Sequence, residues 1–342
     1  MQFRDAPKSP GDFPPTASYG KKRRGTPKMV RWKTKEKRMP RPVTIVSVSD
    51  LPLIEQSIGR EGQILAKTFP LDTGITGVNM DFTWLVHGKG YGTPRHRHTF
   101  DQFRMTFEGV RQSDDGDMGP GECGYFPEGV AYGPQHQDEA ECGLILQFEG
   151  PSGLPYLSHE ELDAARQRLI AEGGTFSKGV YTKILADGRK VNKDSHAACF
   201  EAITGRPMEF PKGRYEKPIL IKPQHFQWVL DRKLAGVEHK HLGTFGERRS
   251  GMRLTRLASG AKIPAHVQED AEILYLTSGS IIYEGKTWKG GKSQTEGTYI
   301  YIPPDGDVKE IGSVGGAEFF VIMLPMLGDI EAEIKAGRRQ AA

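Results

Sequence analysis

Apolar and polar residues alternate in short runs along most of this chain, and the runs are the length of β-strands. From Pro42 onward, PVTIVSVSDLPLI (42–54) and GVNMDFTWLVHGKG (77–90) read as strands. Further runs follow, separated by the turn-forming stretches DDGDMGPGE (114–122) and PEG (127–129), up to CGLILQFEG (142–150). The texture then changes. In LSHEELDAARQRLIAEGG (157–174), Ser158 with Glu161 three residues later is a capping-box pattern, and Leu162, Ala165, Leu169 and Ile170 recur at helical spacing. One amphipathic helix is therefore predicted, stopped by Gly173-Gly174. Residues to about 216 show no clear period. Strand-like runs resume at KPILIKP (217–223) and continue to AEFFVIMLPM (317–326), and GDIEAEIKAGRRQAA (328–342) predicts a short terminal helix.

Two strand-rich halves around a helical connector suggest an internal repeat. Gly90, His96, His98, Gln102 and Gly109 have counterparts exactly 170 residues later in Gly260, His266, Gln268, Glu272 and Gly279. The expected organisation is a basic arm (1–43), a first barrel (44–150), a connector with one helix (151–216), a second barrel (217–328) and a C-terminal helical tail (329–342).

Composition supports this. Forty-two glycines, 23 prolines and a hydrophobic fraction of 37% favour many strands and turns over long helices. No apolar run approaches the roughly 20 residues that span a bilayer, and the N-terminus lacks the apolar core of a signal peptide. Any disulfide scheme leaves one of the three cysteines over (Cys123, Cys142, Cys199), so reduced thiols and a cytoplasmic location are expected. Of the formal charge of +4, residues 1–43 carry +10 and the remainder −6. The arm reads as a solvated tail that could touch nucleic acid. The mildly acidic remainder argues against nucleic acid as its partner.

The pattern G-x5-H-x-H-x3-E-x6-G, followed by G-x5-P-x-G-x2-H, is the two-part signature of the cupin family. This chain resembles it in Gly90, His96, His98, Gln102 (in the Glu position), Gly109, Gly121, Pro127 and Gly129. Two copies resemble a bicupin. The resemblance implies a mainly β fold of two tandem antiparallel jelly-roll barrels, often holding a divalent metal near the axis. The family's Glu is Gln102 here, and its second-motif His aligns with Tyr132, with His136 four residues on. In the second copy the paired His becomes Gln268, and Lys309 takes the second-motif position, so that site reads as degenerate.

Residues two apart on a strand share a face, so His96 and His98 present two nitrogen donors to one wall. Such donors suit Fe, Mn, Ni, Cu or Zn. Gln102 and Tyr132 or His136 would complete the set, and Arg104, on the face of Gln102, would clamp a carboxylate. In the second copy that face carries Glu272, Leu274 and Leu276, which predicts a packed interior. The opposite faces, Phe103-Met105-Phe107 and Ile273-Tyr275-Thr277, are also bulky and need a cover, either the other barrel's sheet or a partner in a homodimer. GSIIYEGKT (279–287) misses the P-loop spacing, His87 reads as a satisfied barrel histidine, and His239 and His241 read as solvated. The expected function is metal-dependent, dioxygenase-type chemistry on a small organic acid or aromatic substrate in the first barrel. The alternatives are a metal-free cupin that binds a small molecule, and an isomerase or lyase.

Overall fold

The computed structural model describes residues 41–56, 62–177 and 179–338; the basic arm lies almost wholly outside them. In the first half, seven antiparallel strands are ordered Ile219–Ile221, Cys123–Phe126, Asp101–Glu108, Glu141–Phe148, Met80–His87, Ile64–Thr68 and Ile54–Glu55. A small three-stranded sheet (Gly92–Thr93, Gln135–His136, Gln112–Ser113) accompanies it. The second half repeats this plan with a nine-stranded sheet centred on Ala271–Tyr283 and Ile311–Leu324, plus the pair His266–Gln268 and Gly306–Val308. The fold is mainly β, as expected. No helix among the described residues is long and apolar enough to cross a membrane.

The repeated glycines explain why the two halves turn alike. Gly109 and Gly279 both have left-handed backbones, with φ of +72° and +77°. A Cβ there would lie 2.5 Å from the Ala140 carbonyl oxygen and 2.0 Å from that of Gly316. Both positions thus need glycine for conformation and for close approach.

Alternation sorts each central strand into two buried faces. Along Asp101–Glu108, Phe103, Met105 and Phe107 turn outward into the largest core, where Ile273 and Tyr275 meet them from the second half. Aromatic rings bridge the two sheets: Phe107 lies 5.3 Å from Tyr275, Phe69 4.6 Å from Tyr299, and Tyr125 4.5 Å from Phe245. The bulky outer faces are therefore covered by the other barrel of the same chain.

Two strands cross the boundaries expected from the sequence. Thr44–Ser47 pairs with Thr298–Ile302 of the second sheet, and Ile219–Ile221 pairs with Cys123–Phe126 of the first. Each half thus lends the other an edge strand.

The connector holds more than one helix. The predicted helix α1 (His159–Ala171) has its capping box: the Ser158 hydroxyl accepts from the Glu161 amide at 3.2 Å, and the Glu161 carboxylate accepts from the Ser158 amide at 2.7 Å. Beyond it come an antiparallel meander (Gly174–Ser177, Val180–Ile184, Lys190–Asp194) and helix α2 (Ser195–Thr204), closed around Leu169, Tyr181 and Cys199. The meander's charged faces hide its period in the sequence. Helix α3 (Met326–Lys335) buries Met326, Leu327 and Ile330 in the main core. All three cysteines are free thiols.

Candidate functional site

The histidine segment is tied to the second motif by its backbone. His96 and Tyr132 exchange hydrogen bonds, amide to carbonyl, at 3.0 and 2.8 Å. Alternation then separates the side chains. Arg95 turns out to the Gly133 carbonyl (2.7 Å) and Arg97 stacks over Phe210, whereas His96 and His98 line a cavity of about 110 Å³ in the first barrel. Their ring centroids are 4.9 Å apart. The expected parity holds, although only His96 sits in a β-bridge and His98 lies in the following loop.

Gln102 and Arg104 reach the same cavity from the strand Asp101–Glu108. Arg104 donates from Nε (3.1 Å) and Nη2 (2.5 Å) to Gln102 Oε1, and from Nη2 to the Tyr132 hydroxyl oxygen (2.7 Å). Its guanidinium lies 4.0 Å over the Phe126 ring. The residue is only 5% exposed, and its Nη1 has no hydrogen-bond partner among the described residues. Burial lowers its pKa from the usual arginine value. Arginine stays cationic in proteins nonetheless. The Tyr132 hydroxyl is also 2.8 Å from His98 Nε2 and 3.2 Å from Gln102 Oε1. Four of the expected residues, His98, Gln102, Arg104 and Tyr132, thus form one hydrogen-bonded cluster, with His96 beside it.

His136 is not part of it. It is exposed at the end of a two-residue strand, and its neighbour Gln135 takes the inward position. Parity would put Tyr132 and His136, four apart, on one face of a continuous strand, but the chain turns between them.

These residues do not fit a divalent metal as arranged. Among the described residues no group of three His, Cys, Asp or Glu side chains converges. The oxygen that would replace the family's carboxylate, Gln102 Oε1, already accepts twice from a guanidinium. A metal on that oxygen would lie about 4–5 Å from the arginine charge. Unit charges at 4 Å repel by ~4 kcal/mol at an effective dielectric of 20, and a divalent ion doubles this.

Several site residues carry no spaced motif and were not singled out as site residues from the sequence. Glu141, buried behind the cavity-lining His87, sits 2.5 Å from His87 Nδ1 and accepts from Arg111 Nε at 2.9 Å. Burial raises the Glu141 pKa, but the Arg111 charge and the His87 hydrogen bond outweigh it and hold the acid at about 2. Burial dominates at His87, lowering its pKa, and the ring stacks on Tyr91 at 4.1 Å. At the other end His159, the first residue of α1, pairs with Asp81 at 3.0 Å, and that hydrogen bond raises its pKa. Only the capping box ahead of His159 hinted at where it would lie.

No protein-family model and no curated protein sequence matches the chain. Solved structures do. A candidate dioxygenase from Nostoc punctiforme superposes with a TM-score of 0.57 at 12% identity, covering 83% of each chain. A candidate glyoxylate-induced protein from Pseudomonas aeruginosa gives 0.51 at 8% identity, covering 86% of this chain and 94% of that one. With the repeated signature on two antiparallel jelly-roll halves, these likenesses settle the fold. The chain has a bicupin fold. At such identities the likeness concerns fold alone.

The two halves of this fold differ inside. The second was expected to be packed by Leu274 and Leu276. Leu276 is packed in the second half's core, but Leu274 borders a cavity of about 550 Å³. Leu274 stands where the first barrel has Arg104, and the shorter, uncharged side chain leaves space that the guanidinium fills in the first. His239 is another correction. It lines this cavity, bonded to Thr255 Oγ1 (2.9 Å) and Asp231 (3.1 Å), instead of being solvated.

Proposed function

We propose that the first barrel binds a small organic acid without a metal. The observation that carries this reading is Arg104, a cavity-lining guanidinium whose buried Nη1 has no hydrogen-bond partner among the described residues. An unmet buried donor is costly, and an anion would satisfy it. Charge favours the same sign. Among the lining residues Arg104 and His159, when protonated, outnumber the carboxylate of Asp81, which already pairs with His159. The volume limits the ligand to a few heavy atoms, since a cavity of ~150 Å³ accepts benzene.

The chemistry available is proton transfer. His98 Nε2, the Tyr132 hydroxyl and the Arg104 guanidinium form a chain in which a proton can pass between Tyr132 and His98 while the cation stabilises negative charge on the phenol oxygen or the ligand. Arg104 would orient the carboxylate, and Tyr132 or His98 would give or take the proton. Isomerase or lyase chemistry follows from this arrangement.

Metal-dependent oxygen chemistry is the second reading, favoured by the two imidazoles on one wall. It requires Arg104 to leave Gln102 and Tyr132. Titration calorimetry with glyoxylate, pyruvate and malonate, run beside elemental analysis of protein purified without an affinity metal, separates the two. The expected result is one acid bound per chain, at least tenfold weaker in Arg104→Gln, with metal far below one per chain. About one metal per chain, lost in a His96→Ala/His98→Ala double variant, would establish the second reading instead.

A further inference from the structure

We propose that the second barrel is a separate ligand site, for a small molecule with an apolar body and one carboxylate end held by Arg253. Its size and walls differ from those of the first. The cavity of about 550 Å³ is five times larger and is lined by Leu274, Ile302, Val308, Ile311, Phe319 and Val321. Volumes of this order, apolar with few polar groups, are those of small-molecule pockets.

Most of the lining is apolar, and several of the polar groups are already paired. The Asp231 carboxylate accepts from the amides of Lys233 and Leu234 and lies against His239, whose other nitrogen meets Thr255. Arg253 is different. Nη2 donates to Glu272 at 3.2 Å, Nη1 meets only the Met323 sulfur at 3.8 Å, and the buried Nε has no partner among the described residues. One carboxylate therefore uses a small part of a five-donor fork. Burial raises the Glu272 pKa despite Arg253, so this acid is a weak counter-ion.

The internal repeat shows how the site arose in this chain. With the offset of 170 residues, Arg104 corresponds to Leu274 and Thr83 to Arg253, and all four line their respective cavities. The cation has moved from the central strand to its second neighbour. That vacates the middle of the barrel for an apolar body and leaves the charge at its side.

The test is titration calorimetry of the full chain with 4-phenylbutyrate. The expected result is one equivalent bound, at least tenfold weaker in Arg253→Gln, abolished in the cavity-filling Leu274→Trp and unchanged in Arg104→Gln. 4-Phenylbutan-1-ol, which lacks the carboxylate, should bind at least tenfold more weakly. Should Leu274→Trp fail to fold by circular dichroism, Arg253→Gln and the alcohol still decide. No saturable binding, binding indifferent to Arg253→Gln, equal binding of the alcohol, or loss in Arg104→Gln would each overturn the proposal.

Discussion

Arg104 is expected to be a side chain that the fold does not need. A buried cation without a carboxylate partner loses hydration and regains little of it, so an apolar replacement of similar length is expected to be neutral or stabilising. Its acceptors are not stranded by that change, because the Tyr132 hydroxyl already lies 3.2 Å from Gln102 Oε1. Arg104→Met should therefore keep or raise the melting temperature while abolishing acid binding, as followed by thermal denaturation with and without ligand. A fall of several degrees would assign the residue a structural role. Asp101 behaves oppositely with pH. Burial pushes its pKa from 3.8 up to about 7, against the donors Glu128 N–H and Tyr125 O–H, both at 2.8 Å. The folded state then holds a proton that the unfolded chain releases, so this group's contribution is full below about pH 4 and declines as pH rises to 7. At about 1.4 kcal/mol per unit, ~4 kcal/mol is at stake. In Asp101→Asn that decline should vanish, so urea denaturation at pH 5 and pH 8 should show the variant gaining on the wild type by ~3 kcal/mol.

At the scale of elements, the ion cluster pins the first barrel's central strands. His87 and Glu141 are register partners on Met80–His87 and Glu141–Phe148, and Arg111 reaches them from just beyond Gly109. Glu141→Gln leaves Arg111 buried without its counter-ion, which typically costs ~3–5 kcal/mol. A Glu141→Gln/Arg111→Met double variant should recover part of that loss in the same denaturation assay. Because the Glu141 pKa is held low, its contribution is present above about pH 4.5 and fades as pH falls towards 2. This level was half legible in the sequence. The parity of Gln102, Arg104 and Thr106 against Phe103, Met105 and Phe107 could be read from alternation alone. Nothing local linked Arg111 to Glu141, thirty residues on.

For the molecule as a whole, the halves are stabilised together. The largest core lies between the two sheets, and each half completes the other's edge through Thr44–Ser47 and Ile219–Ile221. Calorimetry of the full chain should show one unfolding transition, with the calorimetric and van't Hoff enthalpies in agreement. Two resolved transitions would mean that the barrels fold independently. Either half made alone should be insoluble, since it would expose both the aromatic face and an unpaired edge.

By itself the sequence determined what repeats over short distances. The pleat's period of two put His96 and His98 on one side with Arg97 between them turned away, and the steric demand for glycine marked Gly109 and Gly279 as equivalent turns. Those are local constraints, written in neighbouring residues. The tertiary structure alone decided which distant groups meet: Arg104 on Gln102 and Tyr132 where a metal was expected, His136 turned outward, His159 brought to the mouth by a helix from the connector, and an open second barrel beside Leu274, which read as packing. A cavity is what remains when strands far apart in the chain fail to fill the space between them, and a hydrogen bond goes to whichever partner the packed strands deliver. Neither quantity is carried by any one stretch of residues.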